Sequence, residues 1–251
     1  MSSAALPSAS APAPLARSTA HSKVLAVTGS ISAASLLVAW PLALMALPQA
    51  GPWCRTEPCL AYPYESAEYR AIDFAWMYPA LLGLVAFAVL LVLAEGRRSP
   101  RPTAARLARL AAEFGVALLA VDYALQLMVV QPSIIRGEQA GLSFWTQYNP
   151  HGGFIALENL GYLLLSLALV GVALMVPGTG VRRRVVRLAA GVLGGLGVVL
   201  LPVLAAVLGS RLEYLYEVSV ISAVWVAIIV VAPMVGQVVT STGGARTQDD
   251  G

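Results

Sequence analysis

Six uninterrupted apolar stretches dominate this chain: Val24–Leu47, Ala71–Ala94, Leu107–Val130, Gly152–Val176, Val185–Gly209 and Leu212–Gly236. Each reaches the roughly 20 residues a helix needs to cross a hydrocarbon layer. Lipid offers the backbone no water to bond, so only helices and closed barrels can span it. These stretches are continuous rather than alternating and far longer than a barrel strand, which leaves helices. The expected fold is all-α, an integral membrane bundle of six transmembrane helices.

Composition agrees. The chain is 58 % apolar and only 12 % charged, about half the charged share of a soluble domain. That excludes a water-soluble enzyme and a disulfide-rich secreted scaffold. The connections hold the usual breakers, among them Pro48, Pro58, Pro63, Pro100, Pro102, Pro132, Gly137, Pro150, Pro177 and Gly209. Pro41, Pro202 and Pro233 fall inside spans, where neighbouring helices can satisfy the freed carbonyls. Residues 1–22 are rich in Ser, Ala and Pro and read as a disordered cytoplasmic segment. Residues 23–237 then form the transmembrane domain, and 238–251 a loose cytoplasmic tail. The first apolar run is longer than a signal-peptide core and reads as a span.

Arginine and lysine collect on the cytoplasmic side of membrane proteins. With the N-terminus inside, twelve of the sixteen basic residues fall on that side, including Lys23, Arg97, Arg98, Arg101, Arg106, Arg109 and Arg182–Arg184. The other four are Arg55, Arg70, Arg136 and Arg211. Both termini are therefore expected in the cytoplasm, and the cell (plasma) membrane is the expected location. A net charge of +3, with its cations in clusters at span ends, gives no case for nucleic acid. Those clusters suit anionic lipid headgroups instead.

The two cysteines, Cys54 and Cys59, share the first outer loop. A local disulfide fits that oxidising side. A redox dithiol is the alternative, although C-x4-C is not the usual redox spacing. Two cysteines and two distant histidines, His21 and His151, make no ligand cluster, so no metal and no other cofactor is expected.

Charged groups inside the membrane are costly and usually functional. Asp73, Asp122, Glu158, Glu213 and Glu217 all lie in the outer half of their spans, with Gln126 and Asn159 beside them. At the α-helical rise Asp122 sits roughly 13 Å and Glu158 roughly 9 Å below the outer surface. Helical spacing puts His151, Glu158, Asn159, Tyr162 and Ser166 in one arc of span four. Asp122, Tyr123 and Gln126 share an arc of span three, and Glu213, Tyr214 and Glu217 one of span six. These stripes are expected to face one another around a cavity, with Asn149 at its rim. Glu113, on the opposite face, is expected to pair with Arg109. Gly191 and Gly195 form a G-x-x-x-G pair that lets span five pack closely.

The stretch from Pro132-Ser133 through Asn149-Pro150-His151-Gly152-Gly153-Phe154 to Glu158-Asn159-Leu160-Gly161-Tyr162 resembles a bacterial family of uncharacterised polytopic membrane proteins. The resemblance implies a polar centre around Asn149, His151 and Glu158, and carries no activity with it. Small all-helical membrane isomerases and terpene cyclases share only the plan of acids in an aromatic-lined bundle.

Acids converging in an apolar site are suited to giving and taking protons. The first expectation is accordingly an acid–base isomerase or cyclase acting on a lipophilic, isoprenoid-like small molecule. Asp122, Glu158 and Glu217 would be the catalytic acids. Tyr123, Gln126, Asn149, His151, Asn159, Tyr162 and Tyr214 would bind substrate, the tyrosines offering π-faces to a cationic intermediate. The alternatives are a membrane anchor held by another membrane protein and a proton-coupled permease using the same acids. No P-loop, dinucleotide-binding glycine pattern or nucleophile elbow is present.

Overall fold

The computed structural model describes residues 14–46, 70–95, 101–149, 151–176, 178–209 and 213–241. Cys54 and Cys59 lie outside these residues, and so does the side chain of Tyr214. Among the described residues six helices are long and apolar enough to cross a membrane, the plan of a multi-pass membrane protein. They are α1 (Pro14–Met45), α2 (Ile72–Ala94), α3 (Pro102–Arg136), α4 (Gly153–Met175), α5 (Val181–Leu208) and α6 (Glu213–Ser241). Among the described residues there is no strand.

Several boundaries differ from the sequence expectation. Helix α1 starts at Pro14, within the segment expected to be loose, and α6 runs on to Ser241. Proline suits a first helical position, where its missing N–H is not needed, and the Leu15–Ala16–Arg17 run that follows favours helix. Helix α3 does not stop before Pro132 but continues to Arg136, ending where Gly137 turns left-handed at φ 71°. Pro132 has no N–H to give the preceding turn. The helix answers with one wide π turn over Gln126–Val130 and carries on, a common way to absorb such a defect.

Helices α1, α2, α3, α4 and α6 close into a ring by pairwise packing, and α5 lies outside against α4 and α6. Helix α5 is the least enclosed of the six; Val192, Val199, Val203 and Val207 all face outward. In lipid such a face needs no polar cover, because hydrocarbon solvates valine as well as a protein core does.

The α3–α4 pair is the most intimate, and two glycines explain why. A β-carbon at Gly115 would stand 2.8 Å from the carbonyl oxygen of Gly161, so the two backbones touch where no side chain intervenes. On α5 the close approach is made by Gly194 and Gly197, which press on Leu169 and Ser166 of α4. Gly195 faces open space, and Gly191 meets only the β-carbon of Ala173 at ordinary distance. The G-x-x-x-G pair thus identified the right helix but the wrong register. Arg109 and Glu113 pair as expected, at 3.5 Å.

Candidate functional site

The α3–α4 crossing brings Tyr123 and Glu158 together near one end of the ring. The Tyr123 hydroxyl donates to Glu158 Oε1 at 2.7 Å and lies 2.9 Å from the Tyr162 hydroxyl. The indole Nε1 of Trp225, on α6, donates to the same Tyr162 hydroxyl at 2.8 Å. An indole N–H can only donate. Tyr162 therefore accepts from Trp225. Tyr123 spends its one proton on Glu158, so between the two hydroxyls Tyr162 is the donor, and the direction of the chain is set at its Glu158 end. All four side chains are sealed from solvent or nearly so.

Glu217, one turn into α6, brings its buried carboxyl group beside that of Glu158. Asp122 completes the group within electrostatic range of both, fully buried. The three acids expected to converge do converge. Of them Glu217 lines a cavity.

That cavity is a cleft of about 90 Å³ between the ends of α1 and α6. Glu217, Gln147 and Ser222 are its polar lining residues, and Trp40, Trp76, Phe154 and Trp225 wall it. The indoles contact one another: Trp40 and Trp225 meet edge-on with centroids 6.4 Å apart, and Trp76 lies 6.1 Å from Trp225. Trp76 also stands edge-on to Tyr123 at 5.2 Å. Indole faces carry negative potential and attract cations, so the walls suit a positive charge held near Glu217.

Gln126, Asn149, His151 and Asn159 do not line this cleft. Gln126 instead grips the 142–149 connection with both ends of its amide. Its Nε2 donates to the Trp145 carbonyl, and its Oε1 accepts from the Gln147 N–H at 3.1 Å. Asn149 holds the turn before α4, donating to the Ser143 carbonyl at 2.7 Å and accepting from the His151 N–H at 3.0 Å. His151 is exposed and Asn159 half-buried. Tyr123 and Tyr162 stand behind the cleft, as members of the hydroxyl chain rather than as its walls. Asp73 also turns out to be a fastening. It accepts from the Tyr148 hydroxyl at 2.9 Å, pairs with Arg70 at 3.5 Å, and its backbone carbonyl takes the Gln147 amide at 3.0 Å.

The residues that sequence reasoning missed are Trp40, Trp76, Gln147, Phe154 and Trp225. A signal for one of them was present: Glu217, Ile221 and Trp225 are four residues apart and so stack on one face of α6. Among the described residues no group of three metal-ligating side chains is poised to hold an ion. Compared with known protein families, curated proteins and solved structures, the chain, including the stretch Pro132–Tyr162, matches none.

Proposed function

We propose that this protein is a membrane enzyme that isomerises or cyclises a lipophilic, isoprenoid-like molecule by acid–base chemistry. The observation that carries the reading is a buried pair of neighbouring carboxyl groups, Glu158 and Glu217, one of which lines an indole-walled cleft. Two carboxyls can hydrogen-bond each other only while they hold a proton between them. Glu217 delivers that proton to an alkene carbon or epoxide oxygen of the substrate, and the positive charge develops between Trp40, Trp76 and Trp225. Loss of a proton from the rearranged cation to the Glu158–Glu217 pair restores the starting state. One proton enters and one leaves, so no oxidant, reductant or co-substrate is consumed. Tyr123 and Tyr162 hold Glu158 in place through the transfer.

A proton-coupled permease needs polar groups leading to the opposite end of the bundle. Among the described residues the buried polar side chains beyond Tyr162 are Ser32 and Ser166, both hydrogen-bonded to backbone carbonyls at 2.8 Å. This favours a closed-bottomed site. The distribution of arginine supports an orientation with both termini in the cytoplasm.

The test is turnover. Membranes carrying the protein are incubated with radiolabelled geranylgeranyl- and farnesyl-chain alkenes and their terminal epoxides, and products are separated by chromatography. A redox-neutral product that disappears with Glu217→Gln supports the proposal. Product formation unaltered by both Glu217→Gln and Glu158→Gln rules it out.

A further inference from the structure

Helices α1 and α6 pack on each other. At one end they touch through backbone: a β-carbon at Gly29 would collide with the Ala232 carbonyl and reach within 3.3 Å of the Pro233 α-carbon. Further along, Trp40 and Trp225 bridge the two helices edge to edge. Beyond those rings lies the cleft, lined on α1 by Leu44 and on α6 by Val218. Leu44 is 59 % and Val218 37 % exposed. Both positions belong to apolar spans, so their exposed surfaces face hydrocarbon rather than water.

On α6 the lining of the cleft runs from Glu217 to Trp225, about two turns or 12 Å along the helix. Its polar lining residues are Glu217, Gln147 and Ser222, set beside the indoles of Trp40, Trp76 and Trp225. Gln147 is held there twice: its amide nitrogen is bound to Asp73 and its backbone N–H to Gln126. A cleft of about 90 Å³ accepts several water-sized groups, enough for a short branched hydrocarbon segment and too little for a whole lipid. The remainder of any long ligand must therefore stay outside it, and Leu44 and Val218, the exposed apolar residues of its lining, mark a way into the membrane.

We infer that the cleft is a lateral portal admitting a single-chain lipid directly from the bilayer between α1 and α6, with its small polar end beside Gln147 and Glu217 and its chain trailing past Leu44 and Val218 into the surrounding hydrocarbon. This rests on the acid–base reading only for what happens once the lipid is seated. The site selects one thin chain, because a cleft of about 90 Å³ has no room for two side by side.

Photo-crosslinking in liposomes tests it, with a diazirine-bearing farnesyl-chain alcohol as the probe and peptide mapping as the readout. The label should collect around Leu44 and Val218, about tenfold above the lipid-facing Val199 and Val203 of α5, a preference of about 1.4 kcal/mol. The double variant Leu44→Trp, Val218→Trp should bring labelling down to the α5 level. Leu44→Ala with Val218→Ala, which opens the mouth, should keep or raise it, and so separates blockage from misfolding. Labelling equal on α5 and on α1 and α6, or unmoved by the tryptophan pair, overturns the portal. Glu217→Gln should leave labelling in place while abolishing turnover. If labelling persists and turnover is indifferent to Glu217, the portal stands and the acid–base chemistry falls.

Discussion

Tyr123 donates to Glu158 across two helices whose backbones touch at Gly115 and Gly161, about two turns from Tyr123 on one helix and less than one turn from Glu158 on the other. The 2.7 Å hydrogen bond thus depends on a contact that involves no polar side chain at all. Helix packing sets the distance, and the distance sets the orientation of the carboxyl. The consequences reach stability and chemistry alike.

Removing the phenol isolates this dependence. Tyr123→Phe keeps the ring against Trp76 but leaves Glu158 Oε1 and the Tyr162 hydroxyl each short of a buried partner. The expected cost is about 1–3 kcal/mol, seen as a lower unfolding temperature in detergent, together with reduced turnover. A variant as stable and active as the parent would show that the chain of hydroxyls has no mechanical role.

The two acids of the pair should not respond alike. Glu217 opens into the cleft and Glu158 stands behind it. Loss of a general acid typically lowers rate by about 10²–10⁴, and that range is expected for Glu217→Gln. Glu158→Gln keeps an oxygen for the Tyr123 hydroxyl and should fall less steeply. Rate measurements on both variants, at matched protein levels, decide the order; a steeper fall for Glu158 would reverse the assignment.

Packing can be tested without substrate. Gly115→Ala drives a β-carbon against a carbonyl oxygen that has nowhere to go, and overpacking of this kind costs about 1–3 kcal/mol. Gly195→Ala meets open space and should be neutral or stabilising, by up to about 1 kcal/mol, since glycine weakens a helix interior. Thermal unfolding of the two variants should move in opposite directions or leave Gly195→Ala unmoved. Equal losses would mean that α5 has a close neighbour in the membrane.

Gln126 holds the connection that carries Gln147. Gln126→Ala removes the bonds to Trp145 and Gln147 together, while Asp73 continues to hold Gln147 and Tyr148. Amide hydrogen exchange over residues 142–149 should accelerate, with α4 and α6 unaffected. No change in that segment would assign the grip to Asp73 alone.

Much of this was legible in advance, and for one physical reason. Hydrocarbon forbids unsatisfied backbone, so an apolar run of sufficient length has a single structural outcome. The six helices and the depths of Asp122, Glu158 and Glu217 follow from that rule and from the helical rise. The roles of Gln126 and Asn149 were not legible, because an amide that binds a ligand and one that fastens a loop look the same in one dimension. The indoles of Trp40, Trp76 and Trp225 were hidden for a related reason: within an apolar span, an aromatic facing lipid and one facing a cleft leave the same trace.

The amino-acid order alone therefore determined a six-helix membrane bundle with acids at matching depth on three of its helices. Only the tertiary structure decided which of those acids come side by side, which one lines a cavity, and that the cavity lies between α1 and α6. Depth along a helix is a local property, set by residue count and rise. Which helices are neighbours, and where they meet, depends on contacts between distant segments, such as Gly115 on Gly161 and Gly29 on Ala232, that no periodicity records.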